Sequence, residues 1–543
     1  MKKYGIYLAY PPTVDLHEEG LGRHLVEFLK GVQERGNVTF VFACPSWMQK
    51  NLIGLFDASG VSHDYFEIIA PKKLPSVLRV YEYITTFKKR KKRIGRLAKL
   101  LKLLAMVASD TSIFLLKKFV GTKSIALMLL IGIAVLLIFL IVVIFKLIIR
   151  VILSVWVLRK KLADQARRES PLIDKALGRI SDLTSQPKQS SLLTQLYSLM
   201  MESEGSLMLS LIDARTDIDA WYSPTAFWPH FNKIRAPRLT CVPDVVMTDF
   251  PVGFAPVGGQ RFLGNFRQVE MAIEGGQHFV TYSEDIKWRT LVERYHVDSE
   301  AINVVTHAAM RLDDLVVVTG FPDDEAGTDL LCRNLFRVAL CKAVNNGYAG
   351  NFGSEDVRFV FYASQFRPNK NVITLLKAYE YLLKRRYISH KLVLTGNPNT
   401  LPEIARFITE HNLENDVLCL HKLSVQELAA CYRLADLAVN PSLSEGGCPF
   451  TFTEALSVGT PVVMARIPVT EEVITNYELQ QQMLFDPYDW KETADKIEWG
   501  LNNRHLLLAK QKPLYNQLSQ RTWRHVVDEY VEILDRISLV KKG

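Results

Sequence analysis

The sequence predicts an α/β chain of two doubly wound domains, the first interrupted by a basic, apolar helical insertion. Three observations predict it. Short apolar runs alternate with amphipathic helical patterns on either side of residue 320, the mark of mostly parallel sheets covered by helices. A 21-residue uncharged run, Ile125 to Phe145, breaks the first series. A weakly patterned connector, 310–355, with paired aspartates and the Gly-rich NNGYAGNFG, separates the two series. The resulting divisions are 1–70 with 200–320, an insertion at 71–199, a linker at 321–355, a second domain at 356–505 and a terminal helical segment at 506–543.

Taken in order, the N-terminal MKKYGIYLAYPP has an apolar run too short for a signal peptide and reads as a first strand. GLGRHLVEFLKGV follows as a helix with Leu25, Phe28 and Leu29 on one face. VTFVFAC (38–44) and YFEIIA (65–70) are strands, and after the insertion so are DAWYSP (219–224), RLTCVPDVV (238–246), QHFVTYSED (277–285) and INVVTHAA (302–309). In the second series the strands are VRFVFYAS, KLVLTGN, VLCLHKL, LAVNPS and PVVMA, with helices VITLLKAYEYLLKRR, LPEIARFITEHNL and VQELAACYRLA between them.

The net charge of +9 is unevenly spread. Residues 71–168 hold 22 Lys and Arg against three acids, Glu82, Asp110 and Asp164, so the rest of the chain is net acidic. That excludes a general nucleic-acid coat and favours one localised contact with an anionic surface. The run from Ile125 to Phe145 is long enough to cross a bilayer, and KKRKKRIGRLAKLLKLLAMVA (88–108) before it suits anionic headgroups. Both flanks are basic, and 125–158 is too short for two comfortable crossings. A tight hairpin or a helix sunk in one leaflet is therefore expected, with a single span as the alternative. Anionic membrane lipids become partners, at the cytoplasmic face of a membrane, the inner membrane of a bacterium. Seven cysteines (Cys44, Cys241, Cys332, Cys341, Cys419, Cys431, Cys448) form no CxxC pair or Cys/His cluster, which argues against structural zinc and a disulfide framework and suits a reducing compartment.

Chemistry concentrates in SLSEGGCPFTFTEA (442–455). It reads as a strand end, a Gly/Pro turn and a short helix stopped by Gly459, with Glu445 before the turn and Glu454 inside the helix. The helix N-terminus attracts phosphate or sugar hydroxyls; alternatively Thr451 and Glu454 form a capping box. In doubly wound sheets ligands sit beyond the carboxyl ends of the strands. Two further features fall there: the loop Ala363–Asn371, with Arg367 as a planar fork and Lys370 as a point charge, and the turn at Gly396. Opposite lies EGLGRH, where Gly20 and Gly22 allow close backbone approach.

The order GLGRH, YSEDIKWRTLVERYHV, YASQFRPNKN, LVLTGN, SLSEGG…FTEALSVGTPVV and LFDPYDWKETADKI resembles the retaining GT-B glycosyltransferases of family 4 over most of 1–70 and 219–540. The resemblance implies two Rossmann-like (GT-B) domains facing a cleft, with the terminal helix packing back toward the N-terminal domain. It implies that Arg367 and Lys370 hold the donor diphosphate and that Glu454 accepts the ribose hydroxyls. Glu445 and the amides of Gly446, Gly447 and Cys448 would face the transferred sugar, while Pro449, Phe450, Thr451 and Gly396 complete the donor site. The chain departs from the family pattern in three places. Eight residues rather than seven separate the glutamates, Gln365 stands at the commonest arginine position, and Pro243 replaces a histidine usual in CVPDVV.

The implied reaction is front-face transfer, in which the leaving phosphate takes the acceptor proton, with no cofactor and no catalytic metal; Asp217-Ile-Asp219 opens a strand and is assigned no metal role. The implied function is a membrane-associated transferase moving a hexose, with a lean to mannose from GDP-mannose through the QFRPNKN likeness, onto a lipid-linked or other glycan acceptor. A UDP-sugar enzyme of the same fold and a non-catalytic scaffold of polysaccharide assembly are the alternatives. No nucleic-acid partner is expected, and homo-oligomerisation is left open.

Overall fold

The computed structural model describes residues 1–16, 20–76, 192–250, 260–321, 323–344 and 357–540, with a few isolated positions between them. Most of the proposed membrane insertion, 71–199, lies outside the described residues. Among the described residues no helix is long and apolar enough to cross a membrane.

The first sheet contains β1 (Lys2–Tyr7), β2 (Val38–Ala43), β3 (Phe66–Ile69), β4 (Trp221–Ser223), β5 (Arg238–Cys241), β6 (His278–Thr281) and β7 (Ile302–Val304), packed with helices α1 (Gly20–Arg35), α2 (Gln49–Ala58), α3 (Leu192–Asp213) and α4 (Gln260–Glu274). Its order is β3-β2-β1-β4-β5-β6-β7, all parallel. Strands buried on both faces are continuously apolar, as Phe40, Val41 and Phe42 are in β2.

Helix α5 (Glu325–Leu340) follows, then the second sheet: β8 (Phe359–Ala363), β9 (Lys391–Thr395), β10 (Val417–Leu420), β11 (Leu437–Asn440), β12 (Val462–Ala465) and β13 (Leu484–Phe485). Its order is β10-β9-β8-β11-β12-β13, also parallel. Its helices are α6 (Val372–Arg385), α7 (Pro402–Glu410), α8 (Val425–Leu434), α9 (Phe450–Ser457), α10 (Pro468–Val473), α11 (Tyr477–Met483), α12 (Trp490–Asn502) and α13 (Arg504–Ser519). The strand order reverses between β8 and β11, the position at which a doubly wound sheet opens a crevice beyond its strand ends.

Part of the expected connector is structured. Helix α5 begins where the Asp324 carboxylate accepts from the Gly327 amide, and it buries Cys332, Phe336, Ala339 and Leu340 in the core of the second sheet. The paired aspartates and Gly327 hid an amphipathic helix whose apolar spacing is regular.

The chain closes with α14 (Trp523–Val540), which crosses back onto α1. Val527, Tyr530 and Leu534 enter the core of the first domain, whereas Leu507 of α13 belongs to that of the second. The crossing is close because Gly31 lacks a side chain: a Cβ there would lie 2.5 Å from the Trp523 carbonyl oxygen. Next to it, the rings of His24 and His307 meet Trp523, with centroids 5.2 and 6.2 Å away. Both nitrogens of His24 are buried without a hydrogen-bond partner, and burial lowers its pKa from 6.5 to about 4.

Gly31→Ala gains up to about 1 kcal/mol of helix propensity but drives a methyl group into backbone. We expect a net loss of about 1–3 kcal/mol, read as a lower urea midpoint. His24 makes acid stability testable too. Its folded pKa lies below its unfolded value, so its stabilisation is full above pH 6.5 and drains as pH falls toward 4, by about 3 kcal/mol in all. His24→Leu is expected to flatten that part of the stability–pH curve measured by chemical denaturation.

Candidate active site

The loops after β8 and β11 are tied together at the sheet's switch point. The Leu443 amide donates to the Asn369 carbonyl at 2.8 Å, and the buried Tyr362 hydroxyl reaches the Lys370 carbonyl at 3.3 Å and Ser442 Oγ at 3.2 Å. The first loop closes with Asn371 in the left-handed region, φ 52°, before α6 begins. The neighbouring strand end turns at Gly396, φ +136°, where a Cβ would meet the Phe366 ring at 2.7 Å. Only glycine satisfies both the dihedral and the ring.

These loops and the first turn of α1 enclose a cleft of about 610 Å³ between the domains. Arg367, Lys370, Glu445, Glu454, Gly396, Gly20, Pro449, Phe450 and Thr451, nine of the residues expected at the site, line it. Lys370 Nζ donates to Glu445 Oε1 at 2.6 Å, and the Arg367 guanidinium donates to Gln365 Oε1 at 2.9 Å. Burial works against the Lys370 ammonium. The Glu445 carboxylate, with Tyr362 and Asp244, outweighs it, so the pKa of Lys370 is raised and the side chain stays charged.

Four expected residues, Gly22, Gly446, Gly447 and Cys448, do not line the cleft. Gly22 is packed inside α1, where a Cβ would meet the Leu16 carbonyl oxygen at 1.9 Å. Gly446 and Gly447 lean on the first domain: a Cβ would meet the Pro243 carbonyl oxygen at 1.9 Å and Tyr282 Cβ at 2.8 Å, respectively. Ser283 Oγ donates to the Gly446 carbonyl at 3.0 Å. These glycines therefore let the two domains touch, and Cys448 beside them is likewise outside the cleft lining. The expected capping box is also absent. Helix α9 starts after Pro449 without a side-chain cap, and Thr451 Oγ1 accepts from Asn440 Nδ2 at 2.9 Å.

Glu454 has another partner. Its side chain is 1% exposed and accepts a charge-assisted hydrogen bond from Arg23 Nη1 on α1, across the cleft. The Glu454 charge, first of all, raises the pKa of Arg23. Sequence reading overlooked Arg23 because an arginine in a first helical turn reads as solvated and its partner lies 431 positions away. Asp244 was overlooked as well. It lies close enough to Lys370, Glu445 and Arg367 to feel their charges, and burial first of all raises its pKa. Asp217, set aside as a metal ligand, is paired with Lys3 and Arg215. The linker after β7 is bonded to α9, with the Met310 and Leu312 amides donating to Thr453 Oγ1 and Ser457 Oγ at 3.1 and 3.0 Å.

Residues 350–522 match the family Glycosyl transferases group 1. The chain is similar to the O-antigen chain mannosyltransferase RfbU of Salmonella typhimurium, 24% identical over 231 residues, covering 42% of this chain and 53% of that protein. It is also similar to the MMP alpha-(1->4)-mannosyltransferase of Mycolicibacterium hassiacum, 35% identical over 117 residues, covering 22% of this chain and 28% of that one. The matches thus span about half or less of these relatives. Among solved structures, Anabaena HepE in complex with UDP and glucose superposes with a TM-score of 0.53 at 12% identity, over 99% of this chain and 100% of that chain. This chain therefore has a GT-B-like fold, and its residues 350–522 match the family Glycosyl transferases group 1.

Proposed function

We propose that the protein transfers a hexose, mannose from GDP-mannose by preference, onto a lipid-linked glycan at the cytoplasmic face of a membrane, with retention at the anomeric carbon. The observation that carries the reading is the convergence of Arg367, Lys370, Glu454 and the N-terminal turn of α9 on one cleft at the β8/β11 switch point. Two cations and a helix N-terminus suit a diphosphate, and a buried carboxylate suits ribose hydroxyls. The mannose lean is supported by QFRPNKN (365–371) and by the two mannosyltransferases among the relatives. The membrane acceptor is supported by the basic and apolar composition of 88–168.

In this reading the acceptor hydroxyl attacks the anomeric carbon on the face from which the diphosphate departs. The bond between that carbon and the β-phosphate oxygen breaks, and the acceptor proton passes to the leaving phosphate oxygen. The products are the glycoside and a nucleoside diphosphate. Arg367, Lys370 and the helix end stabilise the charge gathering on the diphosphate, in a cleft lined by residues of both domains. Glu445, already paired with Lys370, faces the sugar side. A UDP-sugar donor is the second reading, favoured by the likeness in fold to a protein solved with UDP and glucose.

Thermal shifts of the purified chain with GDP-mannose, UDP-glucose and UDP-N-acetylglucosamine rank the donors, because a ligand held only by the folded state raises Tm according to its affinity. GDP-mannose is expected to give the largest shift; a larger shift with either UDP-sugar selects the second reading. Arg367→Ala and Lys370→Ala are each expected to weaken binding of the best donor about tenfold, near 1.4 kcal/mol, by calorimetry. Unchanged affinity in both variants removes the diphosphate assignment.

A further inference from the structure

The Arg23–Glu454 pair occupies Oε1 of the carboxylate that the proposed function gives to the ribose. Arg23 reaches it from the first turn of α1, and its side chain is 29% exposed, on the same cleft as Arg367 and Lys370. A carboxylate with 1% exposure cannot be stripped of its counter-ion without a replacement, because an unpaired buried charge is costly. A nucleoside diphosphate carries a replacement for each partner. Its ribose hydroxyls donate to Glu454, and its phosphate oxygens accept from a guanidinium. Arginine suits the exchange: its fork re-aims by side-chain rotation and grips phosphate at two points. The N-terminal end of α1, which also favours an anion, stands behind it.

We propose that Arg23 is a counter-ion switch. In the empty cleft it neutralises Glu454. When the donor's ribose takes Glu454, Arg23 moves onto the diphosphate, so that one interdomain ion pair becomes two contacts, one from each domain, on the same donor. This rests on the nucleotide-sugar reading of the cleft.

The switch makes a prediction that a structural ion pair does not. On the switch, a nucleoside that takes Glu454 breaks the Arg23–Glu454 pair and offers Arg23 nothing in return, whereas a nucleoside diphosphate offers its phosphates to Arg23 as it makes the same break. Calorimetric titration of the full chain with guanosine, GDP, uridine and UDP therefore compares wild type with Arg23→Gln. For the preferred base, Arg23→Gln is expected to bind the diphosphate about tenfold more weakly and the nucleoside more tightly. The ratio of the two affinities falls by more than either changes alone. If both ligands weaken by the same factor, or neither changes, Arg23 is only a structural partner and the proposal is overturned. Should Arg23→Gln lose its fold, Arg23→Lys keeps a cation beside Glu454 but gives up the fork, and an unchanged ratio there is equally decisive against the switch.

Arg367→Ala separates the two levels. If wild type binds a diphosphate and Arg367→Ala weakens it while the Arg23 variants leave the ratio untouched, the switch alone fails. If wild type binds none of the four ligands, the nucleotide reading fails and takes the switch with it.

Discussion

Charge taken out of water has to be matched by charge, and the cleft of this protein is organised around that requirement. Lys370 and Glu445 arrive on the loops after two adjacent strands and pair at 2.6 Å, while Arg23 and Glu454 arrive from different domains and pair across the gap. Of these four only Glu454 is fully buried, with Arg23, Lys370 and Glu445 part-buried, so each pair restrains where its loop or helix can rest without the full cost of a buried pair. The pairs also set the chemistry. In the proposed function, an incoming diphosphate competes with these carboxylates for their cations. Arg367 lies at the exposed edge of the same cleft, hydrogen-bonded to Gln365.

The backbone makes those pairs reproducible. Strand-order reversal between β8 and β11 opens the crevice, and bonds between the loops, from Leu443 to Asn369 and from Tyr362 to Lys370, keep its two lips in register. Glycine is needed where backbone meets a neighbour too closely for a side chain. At Gly396 the neighbour is Phe366, and at Gly446 it is the Pro243 carbonyl of the other domain. The eight-residue spacing between Glu445 and Glu454 is accommodated in this way: part of the turn is spent on touching the first domain, and Pro449, Phe450 and Thr451 return to the cleft.

Local pattern carried most of the fold. Continuous apolar strands and regular helical faces are short-range properties, so twelve of the thirteen strands and the cleft-forming loops after β8 and β11 follow from sequence, whereas β13, two residues long, is too short to show a pattern. Arg367, Lys370 and Glu454 were legible because each lies a fixed few residues from a strand or helix end. What was not legible has long-range causes. Arg23 gains its meaning from a residue 431 positions on. Gly446 and Gly447 look like phosphate-loop glycines and differ only in what approaches them. Helix α5 was obscured for a local reason, its aspartates and Gly327 reading as a loop although one of those aspartates is the cap that starts it.

Helix α9 joins these threads. It is eight residues long, yet its first residue packs at a tilt against His307 of the first domain with ring centroids 4.9 Å apart, its middle holds Glu454, and its hydroxyls bind the interdomain linker at Met310 and Leu312. Two wide parallel sheets are stiff, because their cores are close-packed on both faces. A short helix tied to both is where they can be coupled at small energetic cost. Charge placed at its N-terminus changes the field felt by Glu454, and Glu454 is one of the residues through which the first domain is held, with Gly446 and Phe450. A reaction that builds positive charge on a sugar needs water kept out until the donor is seated. In this architecture the elements that would recognise a seated donor and those that hold the two domains together are the same few residues.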